Sequence, residues 1–195
     1  MDCSTVILAG GESRRMGVDK RALPWDGETL LEHVIRGFDG CGEVLLSLRE
    51  GTAPDGCMLP VVTDRFPGSG PLAGIHAALL SMRSEVLFAA ACDMPLADGA
   101  AARALLPLLE GYDAVVPRGG DGRVQPLCAL YRRSCAAAAE AMLRRGERRM
   151  RAFLEQLNVR YVSSAVFPRG ELTLANLNTP EDAERLRVLL QSAGR

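Results

Sequence analysis

The chain has 195 residues, 23 basic and 24 acidic side chains, and a formal net charge of -1. With 48% hydrophobic and 24% charged residues it has an ordinary globular composition, at a length that buries a core without metal or disulfide staples. Near-neutral charge argues against a broad nucleic-acid or anionic-membrane surface, and an aromatic content of 5% argues against base-stacking platforms.

Residues 5–9 (TVILA) predict a buried strand, followed by a loop to about residue 26. Residues 30–38 carry apolar side chains at helical spacing, with Thr29 as N-cap and Gly40 past the end. Strands are predicted at 43–48 and 60–63, then a helix at 71–82 with Pro71 in its first turn. A third apolar run at 86–91 ends in CDMP, and a helix at 100–109 precedes a strand at 114–117. This alternation predicts an α/β fold, a mostly parallel sheet with helices on both faces. The second half departs from the pattern. It predicts a strand at 125–131, helices at 134–144 and 150–157, short strand candidates at 159–162 and 174–177, and a closing helix at 180–191. Without an internal repeat or linker, one domain over 1–195 is expected.

No apolar run approaches the ~20 residues of a membrane helix, and the N-terminus lacks the basic region of a signal peptide. The six cysteines form no CxxC pair and only two histidines accompany them, so reduced thiols in the cytoplasm are expected rather than a zinc site.

Chemistry concentrates in five places. The first is LAGGESRRMGVDK (residues 8–20), where a glycine turn after a parallel strand presents backbone N–H groups as an anion nest. Arg14, Arg15 and Lys20 stand behind it as cations. Lys20 is the single lysine among 22 arginines. The motif is neither a Walker A loop nor GxGxxG. The second is Asp93 in CDMP, emerging at a strand's C-terminal edge, where a hard oxygen can hold Mg²⁺ against phosphates; a capping aspartate is the structural alternative. Asp64 raises the same question at a neighbouring strand end. The third is GSGPLAG (residues 68–74), a turn opening a helix or a close approach of backbone to a base. The fourth is NLNTPED (residues 176–182), which starts a helix with Thr179 as N-cap and leaves Asn176 and Asn178 without a structural reason. The fifth is RRGERRMR (residues 144–151), a solvated face or an anion site.

Taken in order, LAGGESRRMGVDK, GPLAG, CDMP, QPLCALY, GERRMRAFL and NLNTPED resemble the molybdenum cofactor guanylyltransferases over nearly the whole chain. The resemblance implies a Rossmann-like three-layer nucleotidyltransferase fold and transfer of GMP from GTP to molybdopterin with Mg²⁺. It implies nucleotide contacts from Leu8, Ala9, Gly10, Gly11, Lys20, Asp64, Gly70 and Asp93, catalytic roles for Lys20, Arg15 and Asp93, and Asp93 as the metal ligand. Asn176 and Asn178 would lie on the molybdopterin side. Where relatives often carry Asn after the second strand, this chain has Ser47. The implied partners are GTP and molybdopterin, with other molybdenum-cofactor biosynthesis proteins and molybdoenzyme chaperones as candidates; no nucleic acid and no membrane are expected. Transfer of CMP, for which relatives tend to read LAAG, is an alternative. So are another small-molecule nucleotidyltransferase and a non-catalytic GTP-binding module for cofactor delivery.

Overall fold

The computed structural model describes residues 3–10, 19–48 and 58–193. Strand β1 (Ser4–Leu8) is flanked on both sides by parallel neighbours, β4 (Val44–Leu48) and β6 (Val86–Ala91), which is why it is buried along its length and apolar from Val6 onward. β5 (Val61–Thr63) extends the parallel set outside β4. On the other side lie β8 (Cys128–Arg132), β7 (Ala114–Arg118) and β9 (Val159–Ser163), completing the order β5-β4-β1-β6-β8-β7-β9. Only β8 runs antiparallel to its neighbours, so the sheet is mostly parallel and the strands β1, β4, β5 and β6 all end at one edge.

Helices cover both faces. Val6, Leu87 and Ala89 pack against α2 (Pro71–Ser81), α4 (Cys135–Arg144) and α5 (Met150–Leu154). Ile7, Phe88 and Ala90 point the other way, into α1 (Leu30–Arg36), α3 (Gly99–Leu105) and the inner face of α6 (Pro180–Ala193). The period of two along β1 and β6 thus feeds two cores. Each fully buried leucine or phenylalanine in them contributes roughly 1.5–3 kcal/mol.

Local chemistry sets the element ends. Thr29 accepts from the Glu32 N–H at 3.2 Å while the Glu32 carboxylate accepts from the Thr29 N–H at 2.8 Å, a capping box that starts α1 where expected. α2 opens at Gly70, whose φ of 70° only glycine adopts readily, and Pro71 follows at its first turn. Arg133 closes the other end, donating to the carbonyls of Met82 at 2.7 Å and Ser84 at 2.6 Å.

Three expectations change. The predicted loop before residue 26 ends in a hairpin, β2 (Pro24–Trp25) and β3 (Glu28–Thr29), turned at Asp26 and Gly27 with φ of 48° and 85°. Its strands are two residues long, too short for a period to show. Residues 174–177 form no strand: a 3-10 helix, Gly170–Leu174, leads into extended backbone at Ala175. Leu174 and Leu177 are apolar because they seal the α6 side of the core, and the Leu177 N–H goes to the Asp93 carbonyl at 2.7 Å rather than to a strand. The strand expected from residue 125 begins at Cys128.

Candidate active site

A cavity of about 1040 Å³ lies over the edge where β1, β4, β5 and β6 end. Ligands of open parallel sheets bind at that edge because the loops there diverge and the strands' ends leave a crevice. Leu8, Ala9, Gly10, Lys20, Asp64, Gly70 and Asp93 all line it, so seven positions from four separate segments meet around one cavity. Gly11, Arg14 and Arg15 lie outside the described residues.

Lys20 opens a short 3-10 turn, Lys20–Ala22, capped by Asp19, whose carboxylate accepts from the Arg21 N–H at 3.0 Å. The same carboxylate is gripped by the Arg21 guanidinium at 2.7 Å, which holds it below its ordinary range. Lys20 Nζ donates to Asn178 Oδ1 at 2.6 Å and stands 3.5 Å from Asp93 Oδ2. Burial pushes the Asp93 carboxyl up, while the nearby ammonium of Lys20 pulls against that. Cys92, beside it, is a thiol pushed up to about 12 by burial, which leaves it protonated and inert.

Asp64 closes the far side. Its Oδ1 is buried and has no hydrogen-bond partner among the described residues, and burial pushes the carboxyl up to about 6. A buried acceptor left unmade is expensive unless a ligand completes it.

Gly74 explains part of the GPLAG motif. A Cβ there would stand 2.5 Å from Ser47 Oγ and 2.7 Å from Leu8 Cδ2, so the glycine lets α2 lie directly on β4 and β1 beneath the cavity. Ser47 is itself buried inside β4 and reaches the cavity wall.

The two asparagines part company. Asn178 turns to Lys20, whereas Asn176 donates to the Leu174 carbonyl at 3.3 Å and borders a separate cavity of about 270 Å³. The arginine run divides as well. Arg144, Arg149 and Arg151 pair with Glu140, Glu147 and Glu155 on the surface, such pairs contributing little in water. Arg148 instead donates to the Gly68 carbonyl at 3.1 Å and lines the cavity. Sequence reasoning did not single out Arg148, nor Arg21 and Leu127, which also line it. The run of five arginines was the available signal for Arg148, and nothing in it distinguishes one arginine from the next.

Among the described residues no group of three or more His, Cys, Asp or Glu side chains could hold a metal ion, and no helix is long and apolar enough to cross a membrane.

Residues 5–161 match the family model of the MobA-like NTP transferase domain. A protein of Pelotomaculum thermopropionicum named "Probable molybdenum cofactor guanylyltransferase" is 36% identical over 99% of this chain and 96% of its own. The molybdenum cofactor guanylyltransferase of Desulfosudis oleivorans is 34% identical over 100% of this chain and 99% of its own. The crystal structure of molybdopterin-guanine dinucleotide biosynthesis protein A from Archaeoglobus fulgidus superposes with a TM-score of 0.83 at 27% identity, covering 97% of this chain and 99% of that one.

Proposed function

The chain belongs to the MobA-like NTP transferase family and, within it, to the molybdenum cofactor guanylyltransferases, which transfer GMP from GTP to molybdopterin; we propose that the cavity over the sheet's edge is where it does so. One observation carries this reading: Lys20, Asp93, Asp64 and the Gly10 backbone come from four segments to surround one cavity large enough for a nucleotide.

The chemistry asks little of acid–base catalysis. The terminal phosphate of molybdopterin is already an anionic nucleophile near neutral pH. One of its oxygens forms the bond to the α-phosphorus of GTP, the α–β bridging bond breaks, and pyrophosphate leaves with the electron pair. The protein must align the three groups and neutralise the charge that gathers on the leaving group. Lys20 meets both needs as a compact cation on a flexible stem that lines the cavity, and Arg148 adds positive charge along the wall, whereas the charge of Arg21 is matched by Asp19. Asp64 supplies the acceptor for a nucleotide N–H or O–H donor, which would complete its unpartnered oxygen. Arg15 and Gly11 are proposed for the phosphate site on the strength of the sequence motif alone.

The donors fit Mg²⁺. Asp93 offers one hard carboxylate at the cavity wall, and the described residues build no closed cage around it. That suits a cation that keeps several waters and takes its other ligands from substrate phosphates. Bound there with the triphosphate, it would supply charge neutralisation. We further infer one domain throughout and a cytoplasmic location, in keeping with the free cysteines among the described residues. Other biosynthesis proteins or molybdoenzyme chaperones would receive the product.

Incubation with molybdopterin, Mg²⁺ and either GTP or CTP tests the reading. GMP incorporation that stops on chelation of the metal is expected; preferential CMP incorporation, or none from either nucleotide, would overturn it.

A further inference from the structure

We infer that Asn178 is a positioning residue for Lys20, holding the ammonium towards the nucleotide phosphates rather than contacting molybdopterin. The inference rests on the reading of Lys20 as the phosphate cation.

The contact joins residues 158 apart in the chain: Lys20 Nζ donates to Asn178 Oδ1 at 2.6 Å, closer than the 3.5 Å to Asp93 Oδ2. Asn178 is well held for the task. Asp182 Oδ2 accepts from the N–H groups of both Asn178 and Thr179 at 3.0 Å, and Thr179 Oγ1 accepts from the Asp182 N–H at 3.1 Å. Just before it, the Leu177 N–H is bonded to the Asp93 carbonyl at 2.7 Å, so one stretch of backbone is registered against the metal-ligand loop. α6 then returns to the segment that follows Lys20. Arg187 donates to the Pro24 carbonyl at 3.2 Å and lies over the buried Trp25 ring at 5.1 Å. The lysine segment is therefore gripped at both ends by the C-terminal segment.

The chemistry of the partner matters. A lysine stem has four rotatable bonds and keeps no orientation of its own. Without that bond it would be free to close the 3.5 Å ion pair with Asp93 into direct contact, occupying the carboxylate that the cation needs. An amide oxygen fixes the ammonium's direction without cancelling its charge. A carboxylate in the same place would fix it equally well and neutralise it.

Calorimetric binding of GTP with Mg²⁺ to the full chain, in the absence of molybdopterin, separates these roles. Asn178→Ala is expected to weaken GTP binding about tenfold, the size of a lost hydrogen bond to a charged group. Asn178→Asp, nearly isosteric, is expected to weaken it at least as much, whereas a purely structural role would be rescued by that variant. In a Lys20→Ala background, adding Asn178→Ala should change affinity by less than about twofold, because both substitutions remove one interaction. Asn178 is exposed, so melting temperatures within about 2 °C of the parent are expected for both variants. Unchanged GTP affinity in Asn178→Ala, full additivity in the double variant, or parental affinity in Asn178→Asp would each overturn the inference while leaving guanylyl transfer standing. An effect confined to the KM for molybdopterin would overturn it as well. If the parent chain binds no GTP, the inference falls together with the reading of Lys20.

Discussion

Asp93 and Asp64 follow two parallel strands of one sheet, line one cavity, and are both raised above the ordinary carboxylate range by burial. Their surroundings differ in a single respect that decides their chemistry. Asp93 has an ammonium 3.5 Å away, whose pull works against burial. Among the described residues Asp64 has no ion pair, and its Oδ1 has no hydrogen-bond partner. The difference teaches that position at a sheet edge makes a carboxylate available, while its partners determine what it is available for. A carboxylate kept beside a cation suits a metal that arrives with phosphates; a lone acceptor suits a ligand's hydrogen-bond donor.

Substitutions at three positions break the contrast or sharpen it. The largest effect is expected at Asp93→Asn, which keeps the shape and removes the charge: turnover should fall by about two to three orders of magnitude, with GTP affinity much less affected. Steady-state rates beside equilibrium binding check this, and unchanged turnover would remove Asp93 as metal ligand. Lys20→Ala comes next. It should lose roughly ten- to a hundredfold in kcat/KM, shared between binding and rate, because a cation facing phosphate acts in both ground and transition states. Lys20→Arg should recover only part of that loss, since a planar guanidinium needs a different pocket; full recovery would make the solitary lysine a matter of composition.

The smallest effect is on stability, at Asp64→Asn. The folded carboxyl titrates at about 6, above its ordinary value of 3.8, so the folded state binds the extra proton between those two pH values. Stability of the ligand-free chain should fall as pH rises from about 4 to about 6 and level off above. Asp64→Asn removes this dependence, and its melting temperature should exceed that of the parent by about 2–4 °C at pH 8 and by less at pH 4. Parallel melting curves for the two chains across that range would show that Asp64 is ordinarily solvated.

Much of this arrangement was legible in the chain before any coordinates. The strand β1 and helix α2 show as apolar runs bounded by strong punctuation, and Thr29 and Pro71 mark helix starts by chemistry that acts within a few residues. The hairpin at Pro24–Thr29 was not legible, because two-residue strands carry no period. Residues 174–177 were misread because apolar side chains that seal a helix face look the same as those of a strand. The GPLAG glycines were open between turn and ligand contact. The answer for Gly74 is helix-on-strand packing, which depends on Ser47 and Leu8 from the two strands beneath α2.

The sequence by itself determined the α/β alternation, the strand ends that carry Gly10, Asp64 and Asp93, the capped start of α6, and the isolation of Lys20 as the only lysine. These follow from local rules of period, propensity and capping, whose reach is a turn or two. Only the tertiary structure decided that Lys20 meets Asn178 and not Asn176, that Arg148 alone of its run reaches the cavity, and that Asp64 keeps an unpartnered oxygen. Such pairings depend on strand order and on the antiparallel insertion of β8 between β6 and β7, and no periodicity along the chain encodes either.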